Sequence, residues 1–186
     1  MKLNHSIDEA VETVKNGGIL AYPTEAVFGL GCNPHQLTAV QRLLGVKQRP
    51  AHKGLILLAD NINQLTDFIP PLSDEVMARI LPTWPGPVTW LLPVKNEVSP
   101  LVRGEHETIA VRISDHPVCQ TLCQRLGHPL ISTSANLNGY PAAKTVQQVK
   151  EQLGQQIDFI LDKPLGGRER PSEIRHALTN EIVRTG

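Results

Sequence analysis

The sequence has no surplus of charge: its 18 basic and 18 acidic side chains cancel. A dedicated nucleic-acid binder carries a basic excess, so RNA or DNA readout is not the first expectation for this chain. Aromatic residues make up only 4%, too few for the stacking platforms of a single-strand binder. Cysteines are scarce and odd in number (Cys32, Cys119, Cys123), with no framework spacing. That usage fits a reducing compartment and excludes a disulfide scaffold. No apolar run approaches membrane-spanning length, and MKLNHSIDEA at the start has no apolar signal core, so the expected address is the cytoplasm and no membrane contact is expected. The familiar nucleotide motifs are missing as well. There is no G-x-x-x-x-G-K-[ST], and the Gly29-Leu30-Gly31 start of a dinucleotide fingerprint fails because Pro34 stands at its third glycine position.

What remains is a chain of 186 residues, 40% hydrophobic, with a length that predicts one domain over 1–186. Helical and strand patterns alternate, which marks an α/β protein. Ser6 and Glu9 form a capping box for a helix that Gly17-Gly18 closes. A buried strand follows to Tyr22, stopped by Pro23. Leu37, Val40, Leu43 and Leu44 define a second helix ending near Pro50, and 54–59 reads as an all-apolar strand. Helices are expected at 73–81, 117–126 and 145–153. Strands are expected at 88–94, 108–114, 129–131 and 157–161, with a strand pair over 173–185 turning at Thr179-Asn180. Several strands follow one another without a helix between them, so the sheet should be mixed. Cys119 and Cys123, four apart on a helix, read as small buried hydrophobes rather than metal ligands.

Four segments at strand ends carry polar chemistry. Tyr22-Pro23-Thr24-Glu25 leads to Gly29-Leu30-Gly31, which is either a turn with a glycine-rich exit or a place where backbone approaches a polar ligand. Lys47, Arg49 and Lys53 surround Pro50. A helix end often carries cations, yet three converging ones also suit a triphosphate of about four negative charges. Ser132-Thr133-Ser134-Ala135-Asn136 offers donors without bulk, for phosphate or ribose or for an ordinary turn. Pro171-Ser172-Glu173-Ile174-Arg175, after Gly166-Gly167-Arg168, has the makings of a closing loop. Arg112 is a lone charge on an apolar strand, and a salt bridge is the common reason for one.

In this order, and together with Trp84-Pro85-Gly86-Pro87-Val88-Thr89 and Ala110-Val111-Arg112, these segments resemble the YrdC-like family, most closely its short bacterial (TsaC) branch. The resemblance spans nearly the whole chain, and the Lys-x-Arg with Ser-x-Asn constellation is its specific part. It implies the YrdC-like fold, a twisted open mixed sheet flanked by helices with a large basic cavity. It also implies a nucleotidyltransferase that combines L-threonine, bicarbonate and ATP into threonylcarbamoyl-AMP, releasing pyrophosphate. Downstream tRNA-modifying proteins would then place threonylcarbamoyladenosine at tRNA position 37. Mg²⁺ would arrive with ATP, since no all-protein metal cage is visible. Lys47 and Arg49 are the expected catalytic clamp; Thr24, Lys53, Arg112, Ser132, Ser134, Asn136 and Ser172 are the expected substrate and nucleotide contacts. Glu173 departs from the family pattern, where longer relatives carry a threonine hydroxyl, and the extra domain of those relatives is missing. The competing reading is a double-stranded RNA or tRNA-binding module acting in ribosome maturation; neutral charge and few aromatics count against it.

Overall fold

In the computed structural model, which describes residues 1–185, apolar runs become strands and amphipathic runs become helices that cover them. The strands are β1 (Lys2–Asn4), β2 (Leu20–Pro23), β3 (Phe28–Gly31), β4 (Ile56–Ala59), β5 (Val88–Pro93), β6 (Thr108–Ile113), β7 (Leu130–Ser134), β8 (Phe159–Leu161), β9 (Glu173–His176) and β10 (Ile182–Arg184). The helices are α1 (Ile7–Lys15), α2 (Leu37–Lys47), α3 (Asp74–Ile80), α4 (Pro100–Arg103), α5 (Pro117–Leu126) and α6 (Val146–Leu153). All ten strands join one sheet in the order β1-β8-β2-β3-β7-β4-β6-β5-β9-β10. Pairings of β8 with β1 and β2, of β4 with β6 and of β5 with β9 are parallel, and the rest are antiparallel. The expected mixed sheet is the one observed.

Residues along the central strands alternate between two buried clusters, one on each face. Ile19, Ala21, Leu57 and Ile131 face α2, α3 and α6, while Leu20, Tyr22, Leu58 and Leu130 face α1 and α5. Cover on both sides explains why 56–59 is apolar without a break. Cys119 and Cys123 lie buried within α5 against the second cluster, as small hydrophobes do.

Local signals set the helix ends. Ser6, Ser73 and Thr145 each accept an N–H of the first turn of α1, α3 and α6. The capping box of α1 is half-formed: Glu9 takes the Asn4 amide instead of the Ser6 N–H, which goes to Asn4 Oδ1. The α2 helix ends at Lys47 through Gln48 in the left-handed region (φ 47°).

Three differences from the sequence reading matter. The stretch after Val27 is a strand, β3, not a glycine-rich exit. Short β1 and α4 carry no pattern that announces them. Strand β7 runs on through Ser132 and Thr133 to Ser134, so those residues belong to the sheet itself rather than to a turn beyond it. Among the described residues, no helix is long and apolar enough to cross a membrane.

Candidate active site

The face that carries α1 and α5 is only partly covered. Register pairs Tyr22 with Gly29, Gly29 with Ser134, Ser132 with Ile56, and Leu58 with Arg112. Directly paired residues share a face, so beyond Leu130 and Leu58 the same surface presents Ser132, Ser134 and Arg112. Helices stop covering it there, and a cleft of about 220 Å³ opens. Of the expected site residues, Thr24, Arg49, Arg112, Ser132, Ser134 and Ser172 line it. Lys47, Arg49, Lys53, Ser134 and Asn136 line an adjoining pocket that shares Arg49 and Ser134 with the cleft. Segments far apart in sequence therefore meet around one hollow.

Their hydrogen bonds are more specific than the sequence suggests. The ammonium of Lys47 is buried and gives its protons to Ser134 O (2.6 Å), Asn136 O (2.6 Å) and Asn136 Oδ1 (2.7 Å). Ser134 Oγ also donates to Asn136 Oδ1 at 2.6 Å, and the Asn136 amide donates to Leu137 O and Tyr140 O. Lys47, Ser134 and Asn136 thus form a closed brace tying the end of α2 to the loop after β7. Burial, and after it the Arg49 guanidinium, pull the pKa of Lys47 down to about 8, against three acceptors that favour its charged form.

The left-handed turn at Gln48 separates Lys47 from Arg49. The Nε and Nη2 of Arg49 hold Gly54 O (3.1 and 3.0 Å), fixing the loop that carries the exposed Lys53. Its Nη1 makes no hydrogen bond among the described residues, which leaves a donor for a ligand.

Thr24 closes the β2–β3 turn: its N–H and its hydroxyl both donate to Val27 O. Gly29 makes room for the Tyr22 ring, and Gly31 for the Ile131 carbonyl and that ring. A Cβ on Gly29 would lie 2.9 Å from Tyr22 Cζ, and one on Gly31 3.1 Å from Cε1. Tyr22 crosses β3 in that space and donates to Ser132 Oγ at 2.8 Å. Burial pushes its phenol well above the ordinary range, so it keeps its proton and the Ser132 hydroxyl proton stays available. Ser172 shares a hydrogen bond of 2.8 Å with buried Thr89. Glu173 is turned away to pair with Arg175, whose guanidinium lies 5.9 Å from the Trp90 ring centre.

Arg112 has the carboxylate partner that a lone strand arginine suggests. Its Nη2 is 2.9 Å from Glu25 Oε2, both residues being at least nine-tenths buried. Three more arginines line the cleft, Arg168, Arg170 and Arg184. Arg168 pairs with Asp115, and its N–H donates to Glu25 O, seating the 163–171 loop on the Thr24–Glu25 turn. A Cβ on Gly166 would come 2.9 Å from Glu25 Cα, so the contact depends on glycine.

Comparison with known proteins gives this arrangement its family. The model for Sua5/yciO/yrdC, described as telomere recombination, matches residues 12–186. The chain is 50% identical over 183 residues to a Photobacterium profundum protein named threonylcarbamoyl-AMP synthase, covering 97% of this chain and 99% of that one. It is 46% identical over 188 residues to a Vibrio cholerae protein of the same name, with both chains fully covered. The chain belongs to the Sua5/YciO/YrdC family. Among solved structures, P. abyssi Sua5 complexed with L-threonine superposes with a TM-score of 0.82 at 29% identity, over 94% of this chain and 53% of that chain. This member of the family therefore spans about half the length of that relative.

Glu25, Arg168, Arg170 and Arg184 received no role from the sequence. Arg168 and Arg170 had a signal, a Gly-Gly-Arg-Glu-Arg-Pro run ahead of Ser172. Glu25 lies within Tyr22-Pro23-Thr24-Glu25, where its place in a turn gives no sign of its buried pairing with Arg112. Arg184 had none, because only the β9–β10 hairpin returns it to the cleft, where it donates to Ser172 O at 2.6 Å. Among the described residues no three His, Cys, Asp or Glu side chains cluster as a metal site.

Proposed function

We propose that residues 1–186 act as one domain, a cytoplasmic threonylcarbamoyl-AMP synthase of the nucleotidyltransferase class. The observation that carries this reading is the convergence of five arginines and one carboxylate in a single cleft, with serine and threonine hydroxyls between them. The triphosphate of ATP, bicarbonate and the carboxylate of threonine repel one another in water, and a fixed set of guanidiniums offsets that repulsion without reorganising during the reaction. Full-length relatives named threonylcarbamoyl-AMP synthase, and the threonine complex of P. abyssi Sua5, support the substrate assignment.

In the reaction, the amine of L-threonine and bicarbonate give a carbamate and water. A carbamate oxygen then attacks the α-phosphorus of ATP, forming threonylcarbamoyl-AMP as pyrophosphate leaves. Mg²⁺ comes as part of the ATP substrate. Arg49, with Nη1 open, and Lys53 face the triphosphate, and Lys47 fixes the wall on which Ser134 and Asn136 present phosphate and ribose contacts. Thr24, Arg112, Ser132 and Ser172 line the cleft side, where threonine and the carbamate would lie. Downstream proteins that modify tRNA position 37 consume the product.

The test is pyrophosphate release by the purified protein. It should require ATP, threonine and bicarbonate together, and Arg49→Ala should lower it at least about tenfold, the effect of losing about 1.4 kcal/mol of transition-state stabilisation. Release with ATP alone, or unchanged turnover in the variant, would remove the assignment.

A further inference from the structure

The hydroxyls of the cleft differ in where their protons go. Thr24 gives its proton to Val27 O (2.7 Å) and Ser134 gives its own to Asn136 Oδ1 (2.6 Å), so both present lone pairs to a ligand. Ser132 is the opposite case. Its Oγ accepts the Tyr22 phenol at 2.8 Å, and among the described residues its own proton has no acceptor. The direction of that bond follows from the surroundings of the phenol. Tyr22 is 0% exposed, in an apolar cluster that includes Leu58, Leu130 and Phe159, and among the described residues its O–H meets no acceptor but Ser132 Oγ. Reversing the bond would strand a buried phenol proton, which is costly. Burial also holds the phenol pKa well above its ordinary range, so the proton is there to give.

We propose that Tyr22 is a positioning residue: by donating to Ser132 Oγ it turns the serine O–H into the cleft, toward a carboxylate-type oxygen of the amino-acid reactant. The proposal rests on the synthase reading and deepens it. Ser132 stands on the face of the sheet that carries Arg112. A face that gathers guanidinium charge suits an anionic oxygen, and a fixed O–H adds direction to that attraction. The sequence bears a cost for this arrangement. Two of the four residues of β3 are glycine, a poor strand former, and a Cβ on Gly29 would lie 2.9 Å from Tyr22 Cζ. Phenylalanine would fill the same space with no polar atom to satisfy, so packing accounts for the ring and not for its hydroxyl. The Ser172–Thr89 bond can run either way and fixes no such direction. If Tyr22 served only the core, loss of its hydroxyl would change the melting temperature without changing how the protein handles threonine.

The experiment is a double-mutant cycle of Tyr22→Phe and Ser132→Ala on threonine-dependent pyrophosphate release, with threonine binding measured by calorimetry. S132A should lower kcat/KM for threonine about tenfold or more, the effect of losing a hydrogen bond to a charged oxygen. Y22F frees the serine hydroxyl to turn among three staggered positions and should lower it about threefold, with KM for ATP unchanged. In the S132A background Y22F should have no further effect, since Tyr22 acts through Ser132. A Y22F loss of the same size in both backgrounds overturns the proposal, as does no loss at all or a matching rise in KM for ATP. S132A strands the buried phenol, so Y22F/S132A should recover most of the melting temperature that S132A loses, and a melt that stays low overturns the bond on which the proposal stands. Y22F leaves no buried donor unpaired, and gives the comparison of threonine with ATP even where S132A does not fold. Within a supporting result, weaker threonine binding without ATP assigns the oxygen to threonine's own carboxylate, and unchanged binding with slower turnover assigns it to the carbamate. Wild-type protein that releases no pyrophosphate with threonine overturns the synthase reading and this proposal together. An active wild type with a Y22F loss that ignores the background overturns the proposal alone.

Discussion

Replacing Lys47 by Met keeps the buried stem and removes the ammonium that ties α2 to the loop after β7. Three acceptors lose a donor, but Asn136 Oδ1 retains the Ser134 hydroxyl and Ser134 O retains the Asn136 N–H at 3.1 Å, so one carbonyl, Asn136 O, is stripped. An unsatisfied buried acceptor costs about 1–3 kcal/mol. Both residues are half-buried at the cleft wall, where water can reach them. The wild-type ammonium, for its part, carries a desolvation cost. These opposing effects leave K47M less stable by about 1–2 kcal/mol, or about 2–8 °C in Tm at this chain length. The gap should widen as pH rises from about 8 to 10.5. Folded Lys47 sheds its proton near pH 8 and the unfolded side chain near its ordinary 10.5. A lysine whose folded pKa is depressed costs stability below the folded value, and that cost shrinks as pH climbs from there to the unfolded value. Relative to K47M, which has no such proton, the wild type therefore gains stability between pH 8 and 10.5. Turnover should fall further than stability, because a wall displaced by about 1 Å costs about a hundredfold. The decisive assay is a double-mutant cycle with Asn136→Ala on pyrophosphate release. If Lys47 acts through the brace, the double variant is no worse than the worse single one. Losses that multiply, with an unchanged K47M melting curve, would refute the brace.

Three further outcomes follow from the same geometry. Arg112→Met leaves Glu25 buried without its counter-charge and should cost about 3–5 kcal/mol in urea unfolding, most of it recovered in E25Q/R112M; a double variant as unstable as the single would contradict this. Gly31→Ala would set a Cβ 2.3 Å from Ile131 O, and the strand shift needed should destabilise the fold by about 3 kcal/mol or more, read from thermal melts. His116 is buried at the N-terminus of α5, where its Nδ1 accepts Val118 N–H, and burial holds its pKa below the ordinary 6.5. The unfolded chain therefore takes up this proton first as pH falls below 6.5, so stability present above 6.5 is lost on acidification, and His116→Asn, which keeps a capping oxygen, should flatten that loss.

Much of the fold was legible because the sheet is covered on both faces: strands such as Ile56–Ala59 show unbroken apolar runs, and helices such as α1 show a capping residue and an apolar stripe. Strand β3 was not, since two of its four residues are glycine, a poor strand former. The reason for those glycines, the Tyr22 ring lying across them to reach Ser132, is a contact between residues 110 apart. The strand β1 pairs with β8 from the far end of the chain, and nothing in three polar-flanked residues signals it. At the site, residue types were readable but their partners were not. Nothing in the Lys-x-Arg and Ser-x-Asn segments signals that Lys47 bonds to Ser134 O and Asn136.

Neutral net charge was the least informative feature, and the ion pairs explain why. Acidic residues outside the cleft pair with outer cations: Glu12 with Lys15, Asp158 with Arg42, Glu75 with Arg79 and Asp8 with Arg125. Asp115 holds Arg168 from the side, and Glu25 is the carboxylate within the cleft. The even count thus arises by segregation, with a surplus of acidic charge outside balancing an excess of cations within. Pairs exposed to solvent contribute about 0–1 kcal/mol each, so reversing one should hardly matter. The same reversal at Arg112 or Glu25, where both partners are buried, changes the stability of the fold and the sign of charge that a substrate meets.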